Sequence, residues 1–251
     1  MNPEFHAHAL GAPAASVLLL STAGVAILHT LAGPDHYLPF IVMGRARRWS
    51  TLRTIFWTTL CGVGHVGSSV ALAIVGVLLG YGLEHVRFIE EWRGNLAAWA
   101  MITFGAVYLV WGLKRAARGA IHGHRHDHGH ADHAHENCAH ECAHQAHATH
   151  AGHETAGFRL TPWVLFTIFV FGPCEPMIPL VMYPAAQGAW SDVYTVVGVF
   201  SALTIGSMLA VVLLAVKGIS LLPTKHLERY NHAAAGGTIL LAGCAIQFLG
   251  L

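Results

Sequence analysis

The sequence predicts an all-α integral membrane protein of six transmembrane helices, arranged as two inverted three-helix repeats with the first and fourth helices broken. Three observations predict it. Hydrophobic residues make up 54% of the chain and charged residues 11%, outside the ordinary soluble range. Six apolar runs, at roughly 14–43, 54–81, 95–113, 161–186, 193–216 and 233–251, are each long enough to cross a hydrocarbon layer of about 30 Å. The first and fourth runs carry Gly33-Pro34 and Gly172-Pro173, 139 positions apart.

Residues 1–13 form a short outer segment with His6 and His8, and the first repeat spans 14–115. No Lys or Arg precedes the first apolar run, so it reads as a retained span rather than a cleaved signal peptide. Within it lies His29-Thr-Leu-Ala-Gly-Pro-Asp35-His36. Proline donates no backbone N–H and pushes its predecessor away from helical angles, so the helix is expected to split there. The carbonyls left at the end of the first half would suit a cation. The second run places His65 among Gly64, Gly67 and Ser68, small enough for another helix to approach.

The second repeat spans 161–251 and carries its break in Phe171-Gly-Pro-Cys174-Glu175-Pro176. Gly67-Ser68 and Gly206-Ser207 share the offset of the Gly-Pro pairs, and Gly105, Gly112 and Leu113 match Gly243, Gly250 and Leu251 one residue short of it. Tandem units of three spans must lie in opposite orientations, a plan recurrent in secondary transporters with a midplane site. Trp49, Trp57, Trp92, Trp99, Trp163 and Trp190 sit near run ends, as interfacial anchors do.

Lys and Arg stay on the cytoplasmic side. Twelve of them fall in the first, third and fifth loops, against only Arg87 and Arg93 opposite, which puts both termini outside and the 116–160 loop in the cytoplasm. In a bacterium this would be the inner membrane. The spread of basic residues leaves no stripe for nucleic acid. The expected surroundings are the lipid bilayer, with a homo-oligomer compatible with the chain.

Ionisable groups at bilayer depth are functional-site candidates by default. His29, Asp35, His36, His65, Cys174 and Glu175 are the candidate metal ligands, brought together if the repeats superpose on a pseudo-two-fold axis. Imidazole with carboxylate or thiolate suits late first-row divalent ions, whereas magnesium and calcium favour oxygen-only sites. Two other uses stay open: a proton relay, or Asp35 and Glu175 as hydrogen-bonded residues that only secure the kinks. Residues 122–153 add twelve histidines and Cys138-Ala-His-Glu-Cys142, a compositional metal-binding signal that could also serve as a proton-buffering linker. The five cysteines show no disulfide-scaffold spacing. Cys174 leaves open a membrane thiol-disulfide electron carrier, although its first-repeat counterpart is Asp35 rather than a second cysteine.

The His29…Asp35-His36 segment resembles the His-x-x-x-x-Asp-His signature of the nickel/cobalt permeases, with five intervening residues instead of four. Gly64-His65 followed by small residues resembles their Gly-His-Ser motif, and the His-rich loop looks like that of the efflux branch. The second half is similar to the six-span urease-accessory or sulfite-exporter-like group, and its Pro-Cys break to that of the cytochrome c biogenesis transmembrane proteins. The resemblance implies translocation of nickel or cobalt, with zinc as a further candidate, and implies no enzyme and no resident cofactor. No Gly-x-x-x-x-Gly-Lys loop is present, so energy would come from a gradient or another subunit.

Overall fold

The computed structural model describes residues 12–121, 161–220 and 229–250, all built from helices and their connections, with no strand among them. The His-rich tract, Cys138, Cys142, His6 and His8 lie outside the described residues. Helix α1 (Ala12–Ala32) is followed by a 3-10 turn at Pro34–His36 and by α2 (Leu38–Ala46). Then come α3 (Thr51–Leu78) and α4 (Leu83–Ile121). The second half repeats the order with α5 (Thr161–Phe171), α6 (Met177–Ala186), α7 (Trp190–Ser220) and α8 (Asn231–Leu249). Both breaks fall where proline forbids a continuous ladder of backbone bonds.

Five helices, α1, α3, α4, α7 and α8, are long and apolar enough to cross a membrane, whereas α5 and α6 are shorter apolar pieces of one predicted run. The distribution of side chains agrees with a lipid solvent. Leu20, Leu28, Leu214 and Leu241 are exposed, while His36, His65, Ser69 and Glu90 are buried. In water that arrangement would leave an apolar exterior with nothing to cover it.

Two contacts place the site. Helices α4 and α8 run antiparallel at backbone contact: a Cβ on Gly105 would overlap the Leu240 backbone, one on Gly112 the Ala233 backbone, and one on Gly236 the Leu109 backbone. Glycine at these positions removes the spacer that would hold the helices apart, the way helix pairs pack where no hydrophobic effect drives them. The second contact is an exchange, in which α1 packs on α7 while α5 packs on α3. Each half therefore lends its first helix to the other.

Helix α4 differs from the sequence expectation at both ends. The run 95–113 begins twelve residues inside it, and 116–121, assigned to the loop, are helical. Residues 83–94 are polar enough to read as a connection, yet Val86, Glu90 and Ala97 form one buried face at helical spacing. Arg93, counted in an outer loop, is a part-buried residue of this helix.

Candidate metal centre between the helix breaks

Gly33 sets the geometry of the first break. Its N–H donates to His29 O at 3.0 Å, closing α1, and its own carbonyl accepts from the His36 N–H at 3.1 Å. The His36 ring folds back over this glycine so closely that a Cβ there would overlap His36 Nδ1 and lie 2.8 Å from Asp35 Oδ1. His36 Nδ1 lies 3.1 Å from both Gly33 O and Asp35 Oδ1. Both neighbours accept, so Nδ1 carries a proton, and in the neutral ring Nε2 presents a lone pair.

His65 arrives from α3 in the same state. Its Nδ1–H donates to Phe169 O at 3.4 Å, near the end of α5. The Nε2 atoms of His36 and His65 are both buried and have no hydrogen-bond partner among the described residues. His29 completes the group from the last turn of α1. The three imidazoles each offer a nitrogen within 4.8 Å of the other two. The ring centroid of His36 stands 4.7 Å from that of His29 and 4.9 Å from that of His65.

A buried imidazole nitrogen with nothing to bind loses hydration without compensation. Two of them in a group of three clustered imidazoles, each with its other nitrogen fixed by a carbonyl or carboxylate, are placed as metal-ligating histidines are. Asp35 both accepts from His36 Nδ1 and lines the cavity with the imidazoles.

Cys174 and Glu175 take different places. Cys174 is fully buried with Sγ 3.8 Å from His29 Nε2, beside the imidazoles rather than among them. Glu175 is exposed and lines a cavity of about 520 Å³ that also receives His29, Asp35, His36 and His65. The carbonyls expected to face a cation are largely satisfied: His29 O by Gly33 N–H, Leu31 O by the Tyr37 hydroxyl, and Gly33 O by His36. The groups left to line the cavity are side chains because the 3-10 turn closes on its own backbone.

A second polar network, absent from the sequence reading, holds the other break. Glu90 is completely buried on α4 and accepts from the Ser69 hydroxyl, from Cys174 N–H at 2.9 Å and from Arg93 at 2.5 Å. Arg93 also donates to Ser68 Oγ at 2.8 Å and Val170 O at 2.7 Å. One ion pair thereby satisfies a carbonyl at the end of α5 and the Cys174 N–H beyond it, groups that a broken helix leaves without partners. The i,i+3 pairing of Glu90 and Arg93 on the Val86–Ala97 face was the available signal.

Around these groups the chain has its own packing. Phe40 and Phe169, with ring centroids 4.9 Å apart, pack in one buried cluster with Cys61, Met208 and Val212, and the Phe169 ring stands 6.2 Å from that of His65. The chain matches no protein-family model, no curated protein and no solved structure.

Proposed function

We propose that this chain is a secondary transporter that moves a divalent transition-metal ion, nickel or cobalt foremost, across a membrane by alternating access. The observation that carries the reading is the pair of buried Nε2 atoms of His36 and His65, without a partner among the described residues, on imidazoles that cluster with His29 in one cavity. Imidazole nitrogens favour late first-row ions over magnesium and calcium. Asp35 would fix the His36 tautomer and raise its basicity, as acceptors behind metal-ligating histidines do. Cys174 would stay beside the ion as a neighbour of His29.

The six-span, inverted-repeat plan belongs to the same proposal. Supporting it are the two Gly-Pro breaks, the exchange of α1 and α5 between halves, and the glycine contacts of α4 with α8. Helices α5 and α6 together would make the remaining crossing. With twelve basic residues against Arg87, the 116–160 loop and its His-rich tract 122–153 would lie in the cytoplasm and the termini outside. There the tract would collect or buffer the transported ion. The electron-carrier alternative gains no support among the described residues, where Cys174 lies beside an imidazole and Cys61, Cys174 and Cys244 are all free.

The test is nickel flux in proteoliposomes. Replacing His36 and His65 by Ala is expected to abolish flux while leaving the protein folded. Undiminished flux in that variant would refute the reading.

A further inference from the structure

The cavity does not stop at the imidazoles. From them it runs past Gly94 and Asn95 of α4 and Gln247 of α8 to Gly250, and it takes in the carboxylates Glu91 and Glu175. Both acids are exposed. Asn95 and Gln247 bond across this end, Nε2 to Oδ1 at 3.0 Å, which leaves the Gln247 amide oxygen buried and without a partner. Passing inward, the polar groups are therefore carboxylate and amide oxygens first, then Asp35, then imidazole nitrogens.

We propose that this cavity is the entry vestibule of the imidazole site, in which Glu91, Glu175 and the Gln247 amide oxygen draw in a hydrated divalent cation from the non-cytoplasmic side and begin to replace its water. The proposal rests on the metal-transport reading above and adds a face, a route and a second set of residues.

Charge supplies the first argument. Two carboxylates at the mouth of a low-dielectric cleft concentrate cations there and raise their rate of arrival. The order of donors supplies the second. A hydrated ion meets oxygen ligands that resemble its own waters before it meets nitrogen, so desolvation proceeds in steps rather than all at once. The two partnerless imidazole nitrogens, nearly completely buried at the inner end, give that path a destination.

Sidedness follows from α4 itself. This helix is continuous from Leu83 to Ile121, with Glu91 near one end and Lys114, Arg115 and Arg118 near the other. At about 1.5 Å per residue, Glu91 and Lys114 stand roughly 35 Å apart, about the thickness of the hydrocarbon layer. The mouth and the basic end thus belong to opposite faces. Because the basic end is the cytoplasmic one, the mouth is external.

The test uses the full chain in sealed right-side-out membrane vesicles. Asn95→Cys is exposed to a membrane-impermeant maleimide, with nickel(II) as the probe ion and the unsubstituted chain as the labelling background. Labelling from outside is expected, slowed at least tenfold by nickel(II), with the protection lost when His36 and His65 are replaced by Ala in the same chain. In parallel, Glu91→Gln with Glu175→Gln should raise the KM for nickel flux and weaken its ionic-strength dependence, with kcat unchanged. A purely structural role for the two acids would not move KM alone.

Labelling confined to inverted vesicles would overturn the vestibule. So would labelling that nickel leaves unaffected in a chain that still loses one bound nickel when its imidazoles are removed. Both results would spare the metal site. If nickel binding and flux are indifferent to removal of the imidazoles, the transport reading falls and the vestibule with it. Should Asn95→Cys fail to insert, Gln247→Cys on the facing helix probes the same mouth.

Discussion

The two helix breaks share a Gly-Pro sequence and differ in how their backbones are satisfied. At Gly33-Pro34 the turn bonds to itself: His36 N–H reaches Gly33 O, and Tyr37 N–H reaches Pro34 O at 3.4 Å. Its side chains are then left to face the cavity. At Gly172-Pro173 the Cys174 N–H and the Val170 carbonyl are met from outside, by Glu90 and Arg93 of α4. That break is a wall held by a neighbouring helix, and its thiol is sealed within it. A repeated backbone pattern has thus been satisfied in two ways, by a self-contained turn whose His36 and Asp35 side chains line the cavity and by a turn clamped from a neighbouring helix.

The largest effect should come from removing the clamp. Glu90→Ala leaves the Arg93 guanidinium and the Cys174 N–H without their carboxylate inside the protein, a loss of about 3–5 kcal/mol for breaking one partner of a buried pair. Thermal unfolding in detergent is expected to show it, and an unchanged transition would mean the second break holds itself as the first does.

Next is Gly33→Ala. The added methyl meets the His36 ring, so the strain, about 1–3 kcal/mol, falls on a ligand, and nickel affinity should drop more than stability does. The matching Gly172→Ala sharpens the contrast, because its Cβ would lie 3.2 Å from His65 Nδ1 and need only a small adjustment. Isothermal titration of both variants would rank them.

Asp35→Asn tests the orienting role. An amide can still hold the ring, less well and without charge, and loss of such a partner typically weakens metal binding by about 10–100-fold. Smallest of all should be Cys174→Ser. If the thiol only neighbours His29, nickel affinity changes by less than about threefold on the scale set by direct ligands. A loss as large as that from His36→Ala would make the sulfur a ligand.

Much of this was legible in the chain. Proline and glycine announce both breaks, because their backbone constraints are local. His29, His36 and His65 stood out as ionisable groups in apolar runs, where the energetic penalty is itself the signal. The roles within the set were not legible. Whether Asp35 ligates an ion or orients a ring depends on a ring folding back over Gly33, a distance no spacing rule encodes. Glu90 and Arg93 were hidden for another reason: in 83–94 their charge outweighed a helical periodicity of buried positions, so a half-buried helix end read as a loop. Glu175 was grouped with the ligands by its place beside the break, and it lines the same cavity as the imidazoles without joining the three nitrogens that lie within 4.8 Å of one another.

The central claim is that His29, His36 and His65 bind one metal ion together. Equilibrium dialysis of the purified full chain against radioactive nickel, compared with a chain carrying Ala at all three positions, tests it most directly. The account predicts that the variant binds one fewer ion per chain, with the His-rich tract contributing equally to both. The same number of bound ions, at the same affinities, would contradict it.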